Sequence, residues 1–358
     1  MTAPPVEAVT PRPGLGEFGR IARYFAPLAA SAPGALGLKD DAALLSLDPG
    51  RRLVVTVDAM VEGVHFLAED PPDLVARKLL RVNLSDLAAM AATPRAYFLT
   101  LALPPQRGES WIARFAAGLA EDQHEFAITL MGGDSVSTPG PVTLTVTALG
   151  EVPLTVGESG GREKSGEVRR SGARPGDLVC VSGSIGDGAL GLLAATGRLT
   201  GPAEDLDFLA GRYRLPRPRL RLGAALSGLA SAMMDVSDGL VADLGHLATA
   251  SGVGAVIERE RVPLSPAARL AAQSAPDLWE VVLTGGDDYE LLFTLPPAHA
   301  PLLARLEAET GVPLTVLGRI EAWEDGAIPA SAPISSRVRV LGRDGMPLDF
   351  RRTGWQHS

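Results

Sequence analysis

Aspartates recur along this chain where apolar runs end or helical ones begin: Asp40-Asp41, Asp58, Asp86, Asp134, Asp235 with Asp238, and Asp287-Asp288. Magnesium is a hard, octahedral cation that keeps part of its water shell, so proteins hold it with a few carboxylates plus the phosphates of a substrate. Acidic side chains drawn from six separate stretches therefore point to phosphate handling. Any one of them alone reads as a helix cap or a strand end. Six together, several beside glycine, are hard to explain that way.

The other chemistry-bearing residue types are sparse. Lysine occurs only at Lys39, Lys78 and Lys164, and arginine supplies the remaining positive charge. Cys180 is the single cysteine, which excludes an internal disulfide or a thiolate metal cluster. It stands in the apolar run from Asp177 to Ser182 and reads as a core thiol. A net charge of −9 without a basic tract argues against a nucleic-acid partner. An acidic protein that binds anionic phosphates needs bridging cations.

With 358 residues the chain is long enough for two domains, and 46% hydrophobic with 21% charged residues marks a globular protein. No apolar run has the length to cross a bilayer, so no membrane role and a cytoplasmic location are expected. Residues 1–14 are proline-rich and read as a disordered leader, not a signal peptide.

The elements that must position the aspartates follow from periodicity. Arg52–Asp58 is β-branched and predicts a buried strand delivering Asp58 at its exit. Pro72–Ala92 keeps a helical spacing of apolar residues, counting the alkyl stem of Lys78, and sets Asn83 and Asp86 on one face. Strands at Ala96–Leu103 and Ala127–Met131 bracket a helix at Glu109–Gln123, and the second strand runs into Gly132-Gly133-Asp134. Pro141–Leu149 alternates like a half-buried antiparallel strand. The stretch Val156–Val168 is small, charged and unpatterned, and predicts a flexible loop within a linker over 153–169. A second series then begins: strands at Leu178–Ser182, Ala232–Asp235, Val253–Ile257, Tyr289–Leu295 and Leu314–Gly318, with helices at Asp187–Ala195, Gly239–Ala250 and Ala298–Thr310. Two α/β or α+β domains, over 15–152 and 170–358, are expected.

Two glycine motifs mislead. Gly186-Asp-Gly-Ala-Leu-Gly191 matches a dinucleotide fingerprint, but the polar, proline-broken sequel from Gly197 to Asp205 lacks the second strand and its ribose-binding acid. It reads as a tight strand-to-helix turn. Gly157–Ser165 ends in Lys164-Ser165 like a P-loop, but Glu163 replaces the required glycine and no buried strand feeds it. ATP, if bound, must be held through metal and backbone amides.

Seven motifs appear in one order: Asp40–Ala43, Thr56–Phe66, Asn83–Met90, Gly132-Gly133-Asp134, Arg170–Asp177, Asp235–Leu240 and Gly285–Leu291. With them the chain resembles the thiamine-monophosphate kinase family, within the superfamily of aminoimidazole ribonucleotide synthetase-like ATP-binding proteins. The likeness runs from Gly16 to Trp355. It implies an α/β (α+β) fold of two domains: an N-terminal ATP- and metal-binding domain whose sheet pairs across a homodimer, and a C-terminal α/β sandwich closing over substrate. It implies transfer of the γ-phosphoryl of ATP to thiamine monophosphate, giving thiamine diphosphate, with several magnesium ions and no phosphoenzyme. Such a transfer needs mostly alignment and charge neutralisation. The acceptor phosphate, with a second pKa near 6, is already a nucleophile at pH 7, so no general base is called for.

Carried over position by position, the resemblance gives Asp41, Thr56, Asp58, Asp86, Asp134 and Asp235 as metal ligands, joined by Asp238. Gly133 and Asp134 would lie against ATP, with Arg170 on its phosphates and Ser237 nearby. His65, Asp287 and Phe350 would contact the acceptor, Phe350 by packing on a thiamine ring. His65 also reads as a loop histidine bonded to backbone, and His246 as structural. His124, His299 and His357 have no supporting context. The chain departs from the family pattern at Lys39 and Ala91, each in place of a usual glycine, at Val57 for threonine, and at Asp287 for the more frequent glutamate. Lys39 would either add a charge beside the phosphates or point to solvent, and the long insert from Val156 weakens the placement of Arg170.

Two rivals share the pattern's logic. One is an aminoimidazole ribonucleotide synthetase-like ligase with the same metal and ATP requirements; the other is a non-catalytic ATP-binding regulator. Intact acids at all six clusters argue against the regulator.

Overall fold

The computed structural model describes residues 16–157, 161–323, 334–351 and 354, so the expected leader and residues Trp355 and His357 lie outside the described residues. The first half opens with a short helix α1 (Glu17–Arg20) and three irregular helical turns to Leu38, then continues through β1 (Arg51–Val61), α2 (Pro72–Ala89), β2 (Thr93–Leu103), α3 (Glu109–Phe126), β3 (Thr129–Ser137), β4 (Thr143–Gly157) and β5 (Gly161–Ser165). These strands form one sheet in the order β1-β4-β2-β3, with β5 paired to β4. The β2–β3 pair is parallel, as a helical crossover through α3 allows. The other pairs are antiparallel.

Helix α2 is the element on which the site depends. Pro72 at its first turn presets φ, and Asp73 beside it complements the positive end of the helix dipole. Leu79, Leu80, Leu84 and Leu87 are wholly buried. Each contributes on the order of 1.5–3 kcal/mol. The helix ends at Ala91, whose φ of 58° is left-handed. An L-residue there costs about 1–2 kcal/mol, a cost that glycine would avoid.

The second half contains β6 (Leu178–Ser182), α4 (Asp187–Ala195), α5 (Ala203–Arg214), α6 (Leu220–Leu226), β7 (Ala232–Asp235), α7 (Leu240–Ser251), β8 (Gly254–Glu258), α8 (Pro266–Ser274), α9 (Leu278–Thr284), β9 (Leu291–Leu295), α10 (Leu303–Thr310), β10 (Leu314–Glu321) and β11 (Val338–Leu341). Its sheet runs β11-β8-β10-β6-β9-β7, with β11 parallel to β8 and the remaining pairs antiparallel. Each half has its own apolar core, and a third cluster joins Ala88 and Ala91 of the first half to Leu222, Leu226 and Phe293 of the second.

Several expectations need correction. Strand β1 is an edge strand with one face open, not a buried one: Val55 and Val57 are 54% and 56% exposed. Asp58 sits inside it, opposite Val146, instead of at its exit. Within the segment expected to be a loop, β5 makes a hairpin partner for β4, pairing Thr155 with Lys164. Helices α5 and α6 occupy the proline-punctuated stretch, and β11 follows the strand expected to close the sheet.

Candidate active site

Helix α2 presents a stripe at four-residue spacing, Lys78, Val82 and Asp86, to a cavity of 770 Å³ between the two halves. Strand β1 supplies Thr56 and Asp58, the end of β7 supplies Asp235, and the turn after it supplies Ser237 and Asp238. Side chains of α2 tie these together. Asn83 Oδ1 accepts the Asp58 amide at 3.1 Å, Thr56 Oγ1 donates to Asp86 Oδ2 at 2.5 Å, and Ser85 Oγ donates to Asp235 Oδ2 at 2.6 Å.

Four carboxylates thus feel one another across a partly dry space. Burial, then the Asp86 charge, pushes Asp58 up to about 6. Asp235, only 3% exposed, is pushed up to about 7 by burial and then by Asp86. Burial also raises Asp86, against the pull of the Thr56 hydroxyl and of Arg170. A site that raises its own carboxylates is short of positive charge, and this donor set of hard oxygens suits a divalent cation. Among the described residues no three acidic or histidine side chains close on one point. Cation binding here would therefore draw on water and substrate phosphate for its remaining ligands.

The other end of the cavity is built differently. His65 Nδ1 accepts the Val61 amide at 3.0 Å, the backbone bond anticipated for a loop histidine, while the ring still lines the cavity. Asp287 receives Lys78 Nζ at 3.0 Å and the Tyr289 hydroxyl at 3.2 Å. Burial raises the Tyr289 hydroxyl, reinforced by Asp287, Asp235 and Asp58, and the residue lines the same cavity. Arg170 lines the cavity and is exposed. Half-buried His246 is lowered by burial and then by Arg170. Phe350 packs against the core of the second half and is not among the residues lining the cavity.

Asp41, Gly133 and Asp134 line a second cavity of 450 Å³, walled by Phe25, Leu101 and Met131. A Cβ on Gly133 would fall 1.9 Å from the Leu99 carbonyl oxygen, so glycine is required for β3 to lie so close to β2. Alternation decides where Asp134 points. It pairs with Thr100, then Thr145 and Ala59, the open face of the sheet, whereas Asp58 pairs through Val146 and Leu99 with Gly133 on the covered face. The structure therefore distributes the candidate carboxylates between two cavities.

Asp288 belongs to neither cavity. Buried to 1%, it accepts the amides of Gly186 and Gly188 at 2.7 and 2.9 Å. The glycine loop that mimics a dinucleotide fingerprint already holds a carboxyl group, and it is the protein's own. Sequence reasoning missed Lys78, Ser85, Tyr213 and Tyr289. The spacing of Lys78, four residues before Val82 and eight before Asp86, puts its stem on their face but does not say where its ammonium goes.

The family described as AIR synthase related protein, N-terminal domain, matches residues 39–152, and the corresponding C-terminal domain matches 174–329. The thiamine-monophosphate kinase of Caulobacter vibrioides is 44% identical over 346 residues, covering 96% of this chain and 91% of that one. The enzyme of the same name from Escherichia coli K12 is 39% identical over 347 residues, covering 96% and 98%. The solved thiamine-monophosphate kinase of Stenotrophomonas maltophilia K279a superposes with a TM-score of 0.77 at 37% identity, over 93% of this chain and 98% of that one. A structure of AaThiL complexed with AMPPCP and TMP gives 0.71 at 30%, over 96% and 97%.

Proposed function

The chain belongs to the thiamine-monophosphate kinase family, and from that premise we propose that it transfers the γ-phosphoryl group of ATP to thiamine monophosphate by direct in-line displacement. The observation that carries the mechanism is the cluster of Asp58, Asp86, Asp235 and Asp238, contributed by both halves to one cavity and short of positive charge. A solved relative holds AMPPCP and TMP, an ATP analogue and an acceptor by name, which supports the same pair of ligands here.

Asp58, Asp86, Asp235 and Asp238, with Thr56, would hold magnesium. When bound, magnesium neutralises phosphate charge and aligns the two polyanions. Arg170 adds a fixed positive charge at the rim, toward the phosphates. Asp41, Gly133 and Asp134 serve the nucleotide, and the apolar walls of their cavity suit a purine ring. His65 and Asp287 hold the acceptor. The structure offers Phe350 no place in the cavity lining, so its contact with a thiamine ring would need the C-terminal segment to approach the substrate. Two copies would pair through the open face of the first sheet. Asp134 shares that face, so pairing would complete the nucleotide cavity.

Incubation with Mg-ATP should yield ADP and thiamine diphosphate from thiamine monophosphate, and no ADP with formylglycinamidine ribonucleotide. Turnover of the ribonucleotide alone would overturn the assignment. Asp86→Asn keeps an acceptor for the Thr56 hydroxyl and relieves repulsion, so its Tm should hold or rise. Its kcat should fall at least about 100-fold, equivalent to roughly 3 kcal/mol of lost charge stabilisation. Full activity in this variant would remove Asp86 from the metal site.

A further inference from the structure

Lys78 is a lysine where the helical pattern asks only for an apolar residue. Its side chain is 3% exposed, and its ammonium makes three contacts: Asp287 Oδ2 at 3.0 Å, the His65 carbonyl at 3.1 Å, and the Tyr213 ring face at 3.8 Å from the centroid. Burying an ammonium costs several kcal/mol unless its partners are in place, so packing alone does not explain it. The partners come from different parts of the chain: His65 follows β1, Tyr213 is in α5, and Asp287 lies between α9 and β9.

Asp287 is itself held against its preference. Its φ is 70° and that of Tyr289 is 51°, left-handed values that cost non-glycine residues on the order of 1 kcal/mol or more each. The Asp287 and Tyr289 amides donate to the Ser237 and Val236 carbonyls at 2.9 and 2.8 Å, which pins the turn to the strand carrying Asp235. An ionised carboxylate has about four acceptor sites. Lys78 and Tyr289 take one on each oxygen, and the side chain remains 28% exposed toward the cavity.

We propose that Lys78 is a positioning residue for the acceptor. It fixes the Asp287 carboxylate of one half and the His65 loop of the other in a single geometry, so the remaining lone pairs of Asp287 meet the aminopyrimidine or thiazolium cation of the substrate. The acceptor subsite is thereby assembled across the boundary between the halves, and selectivity for the acceptor is separated from ATP binding. This rests on the kinase reading and deepens it.

Lys78→Met keeps the length of the side chain and removes its charge. Its KM for thiamine monophosphate should rise about 10-fold or more, the scale of one lost charge-assisted hydrogen bond, with the KM for ATP within about 2-fold of the parent. Lys78→Arg should recover part of the loss. Calorimetric affinity for thiamine monophosphate should follow the same order without turnover. An unchanged acceptor KM, or a parallel rise in both KM values, overturns the proposal. If Lys78→Met does not fold, Tyr289→Phe removes the donor to the other Asp287 oxygen and should raise the acceptor KM alone about 3-fold or more; no rise in that folded variant is equally decisive. Parent enzyme that fails to use thiamine monophosphate would defeat the kinase reading itself, a result separate from any behaviour of the variants.

Discussion

At the scale of single residues the cavity is a place where negative charge is held at a cost. Asp58 and Asp235 are pushed up to about 6 and about 7, far above the ordinary carboxylate value. For groups raised in this way the stabilising contribution is complete below the unfolded pKa and is lost as pH rises through the folded one. The metal-free protein should therefore lose stability between about pH 4 and pH 7. A loss of one or two kcal/mol lowers Tm by about one to three degrees in a chain of this size. Magnesium binds the ionised form, so it should restore Tm strongly at pH 8 and weakly at pH 5. Scanning calorimetry in EDTA and in magnesium measures both effects. A flat Tm with pH, or equal rescue at the two pH values, would mean that these carboxylates do not share a cation site.

At the scale of elements, most of the framework was readable because its physics is local. The β-branched alternation of β4 and the leucine stripe of α2 announce themselves, and so does the face shared by Asn83 and Asp86. Lys78 was not legible in the same way, since an aliphatic stem satisfies a hydrophobic pattern whether its ammonium reaches solvent or a buried carboxylate. The strand β5 has glycine and charge where strand propensity asks for branched residues, and its pairing to β4 is what makes it a strand. The separation of Asp134 from Asp58 depends on sheet order and pleat, which no linear motif encodes. The motif containing Asp287 and Asp288 shows how close function and support can stand: one carboxylate faces the cavity and its neighbour anchors the loop ahead of α4. A Cβ on Gly188 would lie 2.3 Å from the Asp287 carbonyl, so that loop and the Asp287 turn are packed in contact. Asp288→Ala would orphan the Gly186 and Gly188 amides. It should cost about 2–3 kcal/mol in urea unfolding. A variant as stable as the parent would show that the loop finds other acceptors.

At the scale of the whole molecule, the open face of the first sheet is the feature a lone chain leaves unexplained. Val55, Val57 and Ala59 on the edge strand are exposed, and the rows that include Val57 and Ala59 continue through Thr147 and Thr145 to Phe98 and Thr100. Sheets that expose branched residues on one face are stable when a second layer covers it. The cavity lined by Asp41 and Gly133 borders this face and Asp134 points from it, whereas the carboxylates of α2 and β7 lie behind the sheet. A second copy laid face to face would cover the valines and the exposed Asp134 in one step. Sedimentation of the parent protein should therefore give twice the chain mass. Val57→Asp should shift it to the single-chain mass by placing a charge in the apolar seam. The same variant should raise the KM for ATP, because the exposed Asp134 stands on the face that pairing would cover. A parent that sediments as a single chain while fully active would remove pairing from the mechanism and leave the exposed valines to another role.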